Sequence, residues 1–488
     1  MSSRSLPLPA APLEMDEAEM RRLGHQVADE VARHLASLGE QPVHRAQPRA
    51  TLAGLVPGEA PDDGASMDEL LGWLRHEVFP WHGREPHPGF MGYIPSCPTF
   101  PAVLGDWLAS GYNFFAGVWT MAAGPNAIEL AVLEWFRRWV GMPAGASGLL
   151  TSGGSAATMM AMVAARHAAV GEDWSRLPRL VMYASEQTHS SVPRAAWMAG
   201  IPRSNVRSIP VDAEFRIRMD ALEAAIAADR AAGLIPFMVV GNAGTTNTGA
   251  TDPLEALAAC CEREQLWFHV DAAYAGFAAI TERGRAMLPG IGLAHTITLD
   301  PHKWLFMPFE CGCLLSRDPR LLAEAFSIHP EYLHDVKAGG EDVNFTDYGL
   351  QLTRGSRALK VWLSVRHFGM AALRAQMEYT MQLADLAEQL IRELPGFEIT
   401  SPARFGIVCF RARPEGLEDE ALDRFNMALN ERVNATGKFL ISSTALRGAF
   451  TLRLCALGYR TREEHIRALV AEVARAAQAE LATQAVVA

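Results

Sequence analysis

The feature that most limits the fold is an alternation that begins near Gly148. Short apolar, β-prone runs occur at Leu180–Tyr183, Val206–Pro210, Phe237–Gly241, Leu266–Val270, Thr296–Leu299 and Gly312–Leu315. Helix-like segments such as Ala156–Val170, Met219–Ala232 and Pro253–Glu264 lie between several of them. This spacing predicts an α/β domain with a mostly parallel central sheet covered on both faces. Such sheets bind ligands beyond the carboxyl ends of their strands. Motifs that directly follow strands therefore carry the chemistry.

The flanks read differently, and 488 residues exceed one ordinary core. Residues 1–99 form an expected N-terminal helical segment, 100–360 the large α/β domain and 361–488 a small C-terminal α+β domain. In the first, Met15–Leu38 and Ser66–Val78 have helical character, the second opened by Ser66 with Glu69 three residues on. Pro80, Pro86, Pro88, Pro95, Pro98 and Pro101 then interrupt regular structure. In the last, a long helix over Ala358–Leu394 leads to strands near Gly406–Arg411 and Phe450–Leu454 and a closing helix over Arg462–Ala482.

Composition excludes some functions. A net charge of −11 argues against nucleic acid or an anionic membrane as partner. No apolar run reaches the ~18 residues of a spanning helix, and Met1 to Glu14 lacks the features of a secretory signal. The seven cysteines include no C-x-x-C pair, so neither a metal site nor a disulfide framework is expected. An odd count without an export signal suits the cytoplasm.

Four motifs follow strands. Thr151-Ser152-Gly153-Gly154-Ser155 precedes a helix, where glycines admit an anion to free N–H groups and Ser155 adds a hydroxyl. It serves as a phosphate cradle or as a turn that simply needs glycine. Ser185 to Ser191 carries His189, able to stack on a planar ring, to move a proton or to act structurally. His269-Val270-Asp271-Ala272-Ala273-Tyr274 puts Asp271 at a strand end, where a carboxylate needs a cation, a donor or a helix to cap. A protonated pyridine nitrogen is such a cation. Asp252, before Pro253, reads simply as a helix cap. Asp300-Pro301-His302-Lys303-Trp304 supplies a lysine beside bulky aromatic residues. Poor hydration there is expected to lower its pKa and make it a nucleophile toward an aldehyde.

With these motifs in place, the chain resembles the group II pyridoxal-phosphate decarboxylases, most closely the aromatic-L-amino-acid decarboxylases. The resemblance runs from about Leu70 to Gly458 and is carried by His87 to Pro95, Ser185 to Ser191, Ala231 to Phe237, Gly244-Thr245-Thr246, Val270 to Gly276 and Pro301 to Trp304. It implies the fold-type-I architecture of the aspartate aminotransferase class and a homodimer with active sites shared between subunits. It also implies pyridoxal 5'-phosphate bound covalently to Lys303, with Asp271 on the ring nitrogen. His189 and Ala273 would lie on opposite ring faces. Gly153, Gly154, Ser155 and His302 would surround the phosphate, with Thr246 near the ring. Tyr332 would donate a proton to the substrate Cα; the matching residue is often Phe in aldehyde synthases. Tyr93, Ile94, Trp119 and Thr353 would line the substrate side-chain pocket. They include no cation for an acidic side chain, which points to phenylalanine, tyrosine or tryptophan.

One departure is Asp300, which stands where the animal enzymes have Asn beside the phosphate. An ionised Asp does not donate, so Asp300 is expected either to face away or to be protonated. Gly153-Gly154 likewise replace Ser-Ala. The alternatives are a transaminase, a decarboxylase of glutamate or diaminobutyrate, an oxidative aldehyde synthase and a catalytically inactive scaffold. Intact Lys303, Asp271 and His189 oppose the last.

Overall fold

A computed structural model describes residues 13–56, 58–328 and 342–487. The chain divides into two compact units, 1–84 and 85–488.

The first unit holds two main helices. Helix α1 (Glu17–Ala36) starts where Asp16 accepts the Glu19 N–H at 2.8 Å. Helix α2 (Met67–Trp73) starts with the expected reciprocal cap between Ser66 and Glu69. It runs on into a wider turn over Leu74–Val78. Arg75 joins the two helices through Glu30 at 2.5 Å. Neither α1 nor α2 has a fully buried residue.

The second unit begins at Glu85, and the proline-rich stretch pairs onward within it. Strand β1 (Phe90–Met91) runs parallel to a strand near the C-terminus. Pro101 does not break structure; it sits in the first turn of α3 (Phe100–Tyr112), where no N–H is needed. Helix α4 (Trp119–Trp139) follows, with a kink at Ala122 just before Pro125.

The large sheet has seven strands: β2 (Ser147–Thr151), β3 (Leu180–Ser185), β4 (Val206–Ile209), β5 (Ile235–Asn242), β6 (Trp267–Asp271), β7 (Thr296–Leu299) and β8 (Gly312–Ser316). Their order is β2-β8-β7-β6-β5-β3-β4. All neighbours are parallel except β8, antiparallel to both β2 and β7. Helices α5 (Gly154–Val170), α6 (Ser191–Met198), α7 (Met219–Ala231), α8 (Leu254–Glu264), α9 (Glu282–Met287) and α10 (Arg320–Phe326) fall between or after the strands. Strands β3 and β8 are buried throughout, as a doubly covered sheet requires. The six expected strands are all present within two residues at each end.

Helix α11 (Ala358–Arg392), kinked at Gly369, leads to a five-stranded sheet. Its strands are β9 (Phe397–Arg404), β10 (Ile407–Ala412), β11 (Leu440–Leu446) and β12 (Ala449–Cys455), together with β1. Helices α12 (Asp419–Ala435) and α13 (Glu463–Val487) complete it. Val408, Phe410, Leu452 and Leu454 share an apolar cluster there with Ile466 and Leu469 of α13.

Candidate active site

A cavity of about 370 Å³ opens where β2, β5, β6 and β7 end. Its walls contain Gly153, Gly154, Ser155, His189, Thr246, Asp271, Ala273, His302 and Lys303. Thus every residue expected at the cofactor, drawn from segments 150 positions apart, shares one crevice. A larger hollow of about 950 Å³ is lined by Ile235, Pro236, Leu266 and Trp267, at the amino ends of β5 and β6. Ligands of parallel sheets bind at the other end.

The cradle follows from the turn after β2. Thr151 Oγ1 takes the Gly153 N–H at 3.3 Å and donates to its carbonyl at 3.1 Å, folding the chain back into α5. The glycines are required by close approach. A Cβ on Gly312 would sit 2.4 Å from the Gly153 Cα, and one on Gly154 would sit 2.8 Å from Asp300 Oδ2 and 3.3 Å from the Ala273 Cβ. The first N–H groups of α5 have no intrahelical acceptor and no side-chain cap, so they are available to an anion.

Asp271 ends β6, where its Oδ1 accepts the Ala273 N–H at 3.2 Å. Trp267, His269 and Asp271 share one face of the strand. His269, fully buried, lies between Thr296 Oγ1 at 2.9 Å and Thr298 Oγ1 at 3.3 Å. Burial pushes its pKa down to about 4. His189 has its Nδ1 2.9 Å from Ser191 Oγ and takes the Ser191 N–H. Burial lowers its pKa, outweighing the nearby Asp271 carboxylate, so the ring is neutral.

Lys303 departs from expectation. Burial does depress its ammonium, but Asp300, reinforced by Asp271, outweighs burial and raises the pKa above the usual lysine value. Trp304 does not dehydrate the amine either. It points into the core, donating to Thr380 Oγ1 at 3.1 Å and stacking on Tyr274 at 5.6 Å. Asp300 faces the cavity, with Oδ2 2.8 Å from Lys303 Nζ and 3.7 Å from His302 Nε2. The option of its facing away is thereby excluded. His302 Nδ1 takes the Cys311 N–H at 3.1 Å, and burial lowers the pKa of this ring too.

Asp252 is not a helix cap. It is buried and accepts N–H groups of Ile217 at 2.7 Å and Asn242 at 2.8 Å, plus the Asn242 side chain at 2.8 Å. Asn242 in turn reaches Ser185 and Thr188 on the His189 loop. Arg453 of β12 holds the Thr246 carbonyl at 2.8 Å. These braces link residues far apart in sequence, and no local pattern announces them.

The expected substrate residues are not gathered here. Tyr93, Ile94, Trp119 and Thr353 are absent from the cavity wall. Tyr93 is 64% exposed and Thr353 is exposed, while Ile94 and Trp119 are half-buried. Arg354 explains the direction of Thr353. Its guanidinium turns inward onto Glu129 at 2.7 Å and the Leu150 carbonyl at 3.0 Å, leaving its neighbour outside. Tyr332 lies outside the described residues.

The cavity fits pyridoxal phosphate. It offers N–H donors for a phosphate, a carboxylate for a ring nitrogen, an imidazole face and an amine for an aldehyde. Asp300 Oδ1, buried without a hydrogen-bond partner, marks a polar contact still to be made. Among the described residues no cluster suits a metal ion, and no helix is long and apolar enough to cross a membrane.

Comparison with known proteins agrees. The family model of the pyridoxal-dependent decarboxylase conserved domain matches residues 48–413. An aromatic-L-amino-acid decarboxylase of Bacillus atrophaeus is 37% identical over 94% of this chain and 96% of its own. A phenylacetaldehyde synthase of Arabidopsis thaliana is 33% identical, covering 93% of this chain and 94% of its own. A crystal structure of Oryza sativa TDC with PLP and tryptamine superposes with a TM-score of 0.91 at 31% identity, over 96% of this chain and 99% of that one.

Proposed function

The chain belongs to the pyridoxal-dependent decarboxylase family, and from that premise we propose that it decarboxylates an aromatic L-amino acid to the corresponding amine. The observation that carries this reading is the single crevice joining Lys303, Asp271, His189 and the head of α5. Pyridoxal phosphate supplies the electron sink for the pair left when carbon dioxide departs.

The residues have distinct tasks. Lys303 Nζ holds the cofactor's aldehyde carbon. Asp271 keeps a proton on the ring nitrogen by offering its carboxylate. His189, neutral and braced by Ser191, presents its ring face, and Ala273 leaves room opposite. The N–H groups of Gly154 and Ser155 and the Ser155 hydroxyl bind the phosphate, with Gly153 and His302 alongside and Thr246 near the ring. Tyr332 delivers a proton to the substrate Cα. Tyr93, Ile94, Trp119 and Thr353 take the substrate side chain.

These last residues are exposed or half-buried in one chain, which supports a homodimer with shared sites. So do α1, which buries no residue fully, and α3, which exposes Leu104, Trp107, Leu108 and Tyr112. Seven buried, unbridged cysteines support a cytoplasmic setting.

The test is kcat/KM for phenylalanine, tyrosine, tryptophan, glutamate and 2,4-diaminobutyrate, with carbon dioxide and amine both measured. An aromatic substrate should lead glutamate by about 10²-fold or more, since burying an unpaired carboxylate costs roughly 3–5 kcal/mol. Preference for glutamate or diaminobutyrate would overturn the aromatic assignment while leaving decarboxylation intact.

A further inference from the structure

Asp300 is a buried carboxylate beside the head of α5. It follows β7 and is 2% exposed, with both carboxylate oxygens against the head of α5. Oδ2 pairs with Lys303 Nζ at 2.8 Å, whereas Oδ1 is buried and has no hydrogen-bond partner. Among the described residues, Lys303 is the only lysine or arginine in the cavity wall.

The other titratable groups facing Asp300 bring no compensating charge. His302, on the same turn, and His189, from the loop after β3, are both held neutral, chiefly by burial. Cys313 of β8 is kept protonated by burial. Asp271, from β6, is a second carboxylate. When the cofactor is bound, Lys303 Nζ is committed to it, and a phosphate dianion lies at the head of α5. Two anions in contact in a buried site do not both remain ionised.

We propose that Asp300 takes up a proton as the phosphate is seated, and that Oδ1 donates this proton to the phosphate in a hydrogen bond. The proton comes from solvent, one O–H bond forms, and nothing is oxidised or reduced. A protonated carboxyl is both donor and acceptor, so it satisfies the buried Oδ1 that is otherwise unpartnered. Cofactor affinity then falls as pH rises, because binding consumes a proton. The inference rests on the phosphate lying at the head of α5.

The experiment is calorimetric titration of the full-length apoenzyme with pyridoxal 5'-phosphate at about pH 8, where the ester is already a dianion. Two buffers of different ionisation enthalpy give the protons exchanged. The parent should take up about one proton more than Asp300→Asn, whose amide donates without titrating. The parent's affinity should also fall about tenfold more per pH unit than the variant's. With pyridoxal, which condenses with Lys303 but lacks the phosphate, the parent's own uptake should fall by about one proton. Equal uptake by the parent with both ligands would overturn the proposal. A second readout needs no variant: an infrared difference spectrum of the parent should gain a protonated-carboxyl band when pyridoxal 5'-phosphate binds. Absence of that band would also overturn it. Unchanged affinity in Gly154→Val, which fills the head of α5, would instead remove the premise that the phosphate lies there.

Discussion

The cavity at the strand ends and the face of α3 that carries Trp107 are built on different terms. In the cavity, the polar groups of the described residues are braced from behind: Asp252 holds Asn242, Arg453 holds the Thr246 carbonyl, and Thr151 folds the cradle. On the surface, Trp107 is 49% exposed and Tyr112 is 72% exposed, and they line one hollow of α3 with Leu104 and Leu108. Aromatic side chains left this open on a helix imply another surface to cover them. On the proposed reading, the described residues that would hold the cofactor come from one chain, whereas an apolar face of α3 is left for a second chain to cover.

The strongest way to break this contrast is at Asp271. Asp271→Ala should lower amine production by about 10³-fold, the scale of losing one preorganised electrostatic group, with the parent's oligomeric state unchanged by light scattering. Near-parent turnover would mean that Asp271 does not hold the ring proton. Tyr332→Phe comes next. It should lose about 10²-fold in amine, the scale of one general acid, and gain oxygen-dependent aldehyde. Amine made at the parent rate would reject the role. On the surface side, Trp107→Glu should give a folded monomer whose amine production is down about tenfold, a moderate hot-spot loss. A dimer of parent activity would show that α3 is no interface.

The smallest effect at working pH concerns His269. Its folded pKa, about 4, lies below the ordinary 6.5, so its contribution to stability is complete above pH 6.5 and is lost as pH falls towards 4. That loss is roughly 3 kcal/mol at most. His269→Gln should therefore flatten the acid limb of a Tm-against-pH profile while lowering stability little at pH 8. An unchanged acid limb would show that other groups set it.

Much of the cavity was legible because its residues follow strands, and a short apolar run bounded by turn residues announces a strand end. Asp271 and Lys303 stand one strand–helix unit apart, and the sheet does bring their loops together. Asp300 was harder. Sequence leaves open whether a side chain turns in or out, and its 2.8 Å pairing with Lys303 reverses the pKa expected from hydration alone. Asp252 looked like a cap because Pro253 and a helix follow, yet its acceptors serve a strand and a loop instead. Pro101 looked like a breaker, although the first helical turn tolerates it. Strands β9 and β11 carry exposed positions that blur their alternation, so only their buried partners β10 and β12 were expected.

The central claim is that Lys303 carries the cofactor. Borohydride reduction of the purified enzyme, followed by peptide mass mapping, tests it most directly. The pyridoxyl group should be found on the peptide containing Lys303; its recovery on any other lysine would contradict the account.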